Sequence, residues 1–290
     1  MDVLVSVFLP VSLAFIMFAL GLGLRAEDFF IVARRPRAFA IGAFAQVVLV
    51  PALAYLVIVA FDIAPELAVG IMILSLCPGG PTTNMLTRIG RGDLALSISL
   101  TGVISLTSAI TVPILVAFFT GHFLGRDAPR VDVTRLSLTM FAITVLPVLL
   151  GMAVRRLNAR ADRLERGALA VAGLLFTMIV VAAIIVNWSL DVGSLPLLGP
   201  ALLTLVVALL VVGLLLSRLA GLHEAQATSI AIDTGIQNGT LGLTVGTIIA
   251  ASDLSSPFAL PSAAYAIVMY VVAVPFTLWR RSNRAAETAS

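Results

Sequence analysis

Long runs of apolar residues, each cut off by a short polar or arginine-bearing stretch, recur from one end of this chain to the other. A helix that crosses a bilayer takes about 20 predominantly apolar residues, and the interruptions leave room for nine such segments. They fall at roughly 4–24, 38–60, 67–89, 94–119, 136–154, 167–188, 199–217, 225–250 and 258–279. With 60% hydrophobic and only 11% charged residues, a soluble domain around one buried core is excluded. Alternating ten-residue patterns between turns are absent, which rules out a membrane β-barrel. The expected fold is therefore an all-α polytopic membrane protein of nine transmembrane helices, a single unit over residues 1–290. The first segment has no basic stretch before it and no small-residue cleavage site, so it is expected to stay as a helix rather than leave as a signal peptide.

Arginine sets the orientation. All 18 basic residues are arginines; Arg25, Arg34, Arg35, Arg37, Arg88, Arg91, Arg155, Arg156, Arg160, Arg163, Arg166, Arg218, Arg280, Arg281 and Arg284 share one side of a nine-helix arrangement. Arg126, Arg130 and Arg135 fall on the other. Positive charge stays in the cytoplasm, which predicts a multi-pass protein of the cell (inner) membrane with its N-terminus outside and its C-terminus cytoplasmic. The net charge of +3 is then topology charge, and with no basic patch interleaved with aromatics no nucleic-acid partner is expected. The bilayer is the expected partner, and no obligatory protein partner is evident.

Two polar interruptions sit inside apolar segments. In the third, Cys77-Pro78-Gly79-Gly80-Pro81-Thr82-Thr83-Asn84 combines two prolines that remove backbone donors with two glycines that loosen the helix. In the eighth, Asp233 opens the run Asp-Thr-Gly-Ile-Gln-Asn-Gly and is the one formally charged side chain well inside any apolar segment. A carboxylate at that depth costs about 2.5–3.5 kcal/mol on insertion scales and needs a cation, a partner or a watery cavity. Gly235 and Gly239 flank Gln237 and Asn238, so an unwound turn is expected there, with carbonyls freed to join the carboxylate as oxygen ligands. Plain alternatives exist for each: a proline kink in the third segment, and a polar helix face packed against neighbours in the eighth.

The third and eighth segments are five apart, and an odd offset reverses their direction across the bilayer. That pattern predicts an inverted repeat: a first repeat over 1–119, a connecting helix over 120–154 and a second repeat over 155–290, with the two breaks meeting near the midplane. Cys77 is alone, so neither a disulfide nor a cysteine metal cluster can form. His122 and His223 lack metal-site spacing and read as solvated loop residues. Nothing resembles a nucleophile elbow, a phosphate loop or a paired-carboxylate site, so no enzyme activity is expected.

The stretch Cys77–Asn84, its continuation through Gly92-Asp93-Leu94-Ala95-Leu96-Ser97 to Thr101, and Asp233-x-Gly235-x-Gln237-Asn238 together resemble the bile acid:sodium symporter family. Gly21-Leu22-Gly23-Leu24 with the acidic pair after it, and Gln46 ahead of Pro51, extend the likeness over nearly the whole chain. The resemblance implies two crossing discontinuous helices in a core domain that moves against a panel domain to give alternating access, and the opening looks like the family's nine-helix form. It also implies one or two sodium ions. The first would be held by Thr83, Asn84, Ser97, Thr101 and Asp233, the second by Gln46, Asp233, Gln237 and backbone carbonyls near Thr234 and Ile236. Hydroxyls, amides and carbonyls suit a hard cation without accumulating negative charge, although Ser97 and Thr101 could equally bond back to their own helix.

Two departures from the family stand out. Asp233 replaces the usual glutamate, a side chain shorter by one methylene, so the carboxylate is expected to reach only one of the ion positions. Met269-Tyr270 replaces the His-Asn pair of some relatives, which is expected to make that wall less polar. Two sodium ions sharing one carboxylate leave an excess positive charge that a small organic anion, bile-acid-like or another carboxylate, would neutralise. Thr82, Asn238 and Thr240 are the candidate substrate contacts, with capping of the restarted helices as their other possible role. The expected function is secondary active, sodium-coupled symport of such an anion. The alternative is a proton-coupled or efflux carrier of the arsenite or auxin carrier type.

Overall fold

The computed structural model describes residues 2–30, 34–80, 82–158, 160–187, 195–251 and 256–287. The described residues are all-helical apart from turns and one isolated bridge. In chain order the helices are α1 (Asp2–Gly23), α2 (Pro36–Ala60), α3 (Pro65–Leu76), α4 (Thr82–Ile89), α5 (Leu94–Leu124), α6 (Val133–Leu157), α7 (Ala161–Asn187), α8 (Leu195–Leu219), α9 (Glu224–Gly235), α10 (Gly239–Ile249) and α11 (Leu260–Glu287). Among the described residues six helices are long and apolar enough to cross a membrane, those of α2, α5, α6, α7, α8 and α11. The apolar part of α1 is shorter, and the third and eighth apolar segments are each divided in two, as the polar runs predict.

Helix ends follow local chemistry. Asp93 and Asp132 cap α5 and α6 by accepting from the backbone N–H of Leu96 and Arg135 at 3.2 and 3.0 Å. Several helices outrun their apolar segments because polar and aromatic residues continue the last turn. α5 carries on through His122, which is thus helical and not in a loop; its ring lies 3.1 Å from the Tyr55 hydroxyl. Both α2 and α6 contain one π-helical turn, Ala45–Leu49 and Phe141–Val145, ahead of Pro51 and Pro147. A wide turn accommodates the carbonyl that a proline ring would otherwise strike, and it turns Gln46 into the protein interior.

Two apolar cores hold the molecule together. One gathers α2, α3, α8 and α11 around residues such as Ile71, Leu205 and Tyr265; the other gathers α1, α5, α6 and α7 around Leu13, Val112 and Val148. Lipid supplies no hydrophobic drive between helices, so close packing must do it, and small residues permit the closest approach. Where α1 meets α6, a Cβ on Gly21 would lie 2.2 Å from the Val148 carbonyl, and one on Gly151 would lie 2.3 Å from the Phe18 carbonyl. The outward faces carry large apolar side chains, including Leu56, Ile110, Leu138 and Val271, as expected of a surface that meets acyl chains.

Candidate functional site

Pro78 ends α3. The residue before a proline is pushed out of the helical region, and Cys77 is extended with φ −71° and ψ 149°. α9 ends at Gly235, Ile236 is extended, and the Asn238 side chain caps α10 by accepting from Leu241 N–H at 3.0 Å. The two breaks satisfy one another. Gly79 and Gln237 form an antiparallel bridge, and Asn238 N–H donates to the Pro78 carbonyl at 2.9 Å. Backbone groups that would be orphaned in a membrane protein interior are thereby paired across the two breaks.

Each break is shorter than the polar run that announces it. Thr82, Thr83 and Asn84 already belong to the first turn of α4, and Asp233 and Thr234 to the last turn of α9; Pro81 lies outside the described residues. Helix persists there because the polar side chains bond sideways or backward. The Thr234 hydroxyl, for example, donates to carbonyls of Ile230 and Ala231 on its own helix.

The residues expected at the first ion position come together. Asp233 Oδ1 accepts from Ser97 Oγ and Thr101 Oγ1, both at 3.2 Å, and Ser97 Oγ also lies 3.1 Å from Asn84 Oδ1. Thr87, which its sequence position gave no reason to single out, adds a fourth hydroxyl 3.2 Å from Ser97. Asp233 Oδ2 and Thr83 Oγ1 are buried with no hydrogen-bond partner. A Cβ built on Gly79 would lie 3.3 Å from Thr83 Oγ1, 3.5 Å from Asp233 Oδ1 and 3.5 Å from Thr101 Oγ1. Three oxygens from three helices thus converge beside Gly79 on space that a side chain there would occupy.

The second group is a pair of amides. Gln46 Nε2 donates to Gln237 Oε1 at 2.9 Å and to the Cys77 carbonyl at 3.0 Å, while Gln237 Nε2 donates to the Thr234 carbonyl at 2.7 Å. Gln46 Oε1 is buried and unpartnered. The hydrogen bonds of Asp233 run to Ser97 and Thr101 and not to this pair. No group of three His, Cys, Asp or Glu side chains occurs among the described residues, so the donors on offer are one carboxylate and neutral oxygens. That set suits a hard monovalent cation and fits sodium; a soft or strongly charged metal would want thiolates, imidazoles or more carboxylates.

Beside the Asp233 cluster lies a cavity of about 420 Å³ between α1 and α7 on one side and α4, α10 and α11 on the other. Thr82, Asn238 and Thr240 all line it, as do Gln237 and Asn84. Much of the wall is apolar, with Ile16, Leu20, Leu169 and Phe176 on the α1 and α7 side. The Tyr270 hydroxyl lies 2.8 Å from Thr82 Oγ1, so the Met269-Tyr270 wall keeps one polar group at the point where it faces the break. Asn238 Nδ2 is buried without a partner. Two charged residues that the sequence does not mark as site residues, Arg88 and Glu165, also line this cavity. By its position Arg88 reads as topology charge, and nothing in the spacing says that Glu165 turns inward.

Outside the membrane-spanning part, Glu224 at the start of α9 accepts from Arg218 Nε at 2.8 Å and also pairs with Arg280, a fully buried arginine of α11. Hydrogen bonds from Arg218 and Arg280 hold the Glu224 carboxyl at about 2, below its ordinary value.

Residues 10–190 match the sodium bile acid symporter family. The chain is 26% identical over 269 residues to YocS of Bacillus subtilis (strain 168), an uncharacterized sodium-dependent transporter, covering 91% of this chain and 79% of that protein. It is 28% identical over 255 residues to the ileal sodium/bile acid cotransporter of Homo sapiens, covering 84% of this chain and 70% of the human protein. A probable chloroplastic sodium/metabolite cotransporter of Oryza sativa subsp. japonica, BASS2, is 28% identical over 262 residues; these cover 89% of this chain and 60% of the rice protein.

Proposed function

Because the chain belongs to the sodium bile acid symporter family, a family of membrane transporters, we propose that it couples the entry of sodium to the symport of a small organic anion by alternating access. The observation that carries this reading is the convergence of Thr83, Thr101 and Asp233 oxygens on the open space at Gly79, with Asp233 Oδ2 left unpartnered. A buried carboxylate with an unused oxygen is costly until a cation meets it. Sodium is the co-substrate, held first by Thr83, Asn84, Ser97, Thr101 and Asp233. A second ion would use Gln46, Gln237 and carbonyls at Thr234 and Ile236; Gln46 Oε1, buried and idle, supports it.

The anion would lie in the adjoining cavity against Thr82, Asn238 and Thr240. The α4 and α10 N-termini give partial positive charge at this end, and the unpartnered Asn238 amide offers a donor. Nine spans would form two inverted four-helix repeats, 1–119 and 155–290, around a connecting helix over 120–154. The C-terminus would lie in the cytoplasm and the protein in the cell membrane, as the arginine distribution argues.

Counterflow in proteoliposomes against a panel of labelled carboxylates, with sodium and pH varied separately, tests this reading. Uptake should require sodium at every pH. Uptake driven by a proton gradient in sodium-free buffer would replace symport with the proton-coupled alternative.

A further inference from the structure

Arg88 stands near the end of α4 on its exposed face, at the rim of the cavity. Thr82, Met85 and Arg88 follow one another at three-residue intervals and all line the cavity, so one face of this short helix runs along it. The cavity has one other formally charged residue on its wall, Glu165, and that carboxylate is engaged by Arg155 at 2.8 Å. Arg88, by contrast, enters none of the ion pairs formed among the described residues. Arg88 is exposed and forms no ion pair among the described residues, so its guanidinium is available to an anion at the edge of a largely apolar cavity. The rise of an α-helix puts the Arg88 backbone about 9 Å along the axis from Thr82, where the helix N-termini and the Tyr270–Thr82 hydroxyl pair lie.

We propose that Arg88 is the specificity-determining residue that pairs with the charged group of the transported anion. The cavity then takes an amphipathic acid lying along α4, its carboxylate toward Arg88, its apolar body against Leu20, Leu169 and Phe176, and any further polar group toward Thr82, Asn238 and Thr240. This rests on the carrier reading above and adds to it the residue that meets the substrate's charge and the orientation that follows. A guanidinium serving only membrane topology would have no preference among ligands, so the two roles separate cleanly.

The test uses purified full-length protein in lipid nanodiscs, saturated with sodium, and a series of phenyl-terminated straight-chain carboxylates beside the matching primary amides. The acids should raise the melting temperature of the wild type and the amides should bind about tenfold more weakly or worse. Arg88→Gln should bring the acids down to the level of the amides, and Arg88→Lys should restore much of the difference. Sodium-dependent stabilisation in the absence of acid should be the same in all three proteins. Equal binding of acid and amide by the wild type, binding of no acid at all, or an intact acid preference in Arg88→Gln would each overturn the proposal. Loss of the sodium response in the wild type would instead count against the carrier reading.

Discussion

The two helix breaks pair with each other yet live in different surroundings. From Gln226 to Thr247 every residue of α9, the second break and the start of α10 is buried, and Asp233 sits within that rod. α4, which follows the first break, is amphipathic, with Thr83, Leu86 and Thr87 inward and Met85, Arg88 and Ile89 outward. The carboxylate is thus built into the element that neighbours enclose on all sides, along with Asn238 and Thr240 of the cavity wall, whereas Thr82, Met85 and Arg88 of that wall belong to the element with a free face. Where a carboxylate must be kept in apolar surroundings, rigid enclosure keeps its donors aimed; where a ligand must come and go, one side stays open.

If the enclosed break is an ion site and not merely a packed one, filling the space at Gly79 should produce the largest loss. Gly79 has no positive φ, so alanine suits its backbone, and the contacts at 3.3–3.5 Å are tight but tolerable. Gly79→Ala should fold, bind sodium at least about tenfold more weakly and lose sodium-driven uptake. Gly121→Ala, whose Cβ would meet nothing within 4 Å, serves as the silent control. Normal sodium affinity in Gly79→Ala would place the ion elsewhere.

The next effect separates liganding from packing within the same rod. Ser97→Ala with Thr101→Ala removes both hydroxyls that reach Asp233, which should flatten the sodium response and destabilise the protein by about 1–3 kcal/mol through an unsatisfied carboxylate. A packing role alone predicts the destabilisation with the sodium increment unchanged. Asp233→Glu probes the gap between the carboxylate and the Gln46–Gln237 pair. One more methylene should let the acid serve both positions and move the Hill coefficient for sodium toward about 2. A coefficient unchanged from wild type would show that side-chain length is not what limits ion number.

The smallest effect lies at the rim, where the α9 end of the rod is tied to α8 and α11. Glu224 has a folded-state value of about 2 against an ordinary 4.5, so its contribution is complete above 4.5 and is lost as pH falls toward 2. Melting temperature in the wild type should fall through that window by more than in Glu224→Gln, with transport at neutral pH nearly unaltered. Parallel pH profiles would remove the Arg218–Glu224–Arg280 link from the forces holding α9 in place.

Much of this was legible in the residues alone. Segment positions follow from apolar length, and both breaks from prolines, glycines and an acid in places where a helix wants none. The polar run at 233–239 overstates its break because Thr234 and Asp233 find partners without leaving the helix, a choice made by tertiary neighbours and not by propensity. The π-turn that aims Gln46 inward is an insertion in register that no periodicity marks. Arg88 was hidden for another reason: which way a residue of an eight-residue helix faces depends on how the break before it sets that helix. Topology charge and a ligand-facing charge look the same in sequence.

That Asp233 is held in apolar surroundings for an ion is tested most directly by melting wild type and Asp233→Asn in sodium and in potassium. The wild type should melt higher in sodium by an increment that grows as RT ln(1 + [L]/Kd), and the variant should lose the increment while melting in potassium no lower than the wild type, since the cost of a buried, half-paired carboxylate disappears. An Asn variant that keeps the full sodium increment, or that is destabilised equally in both salts, would contradict it.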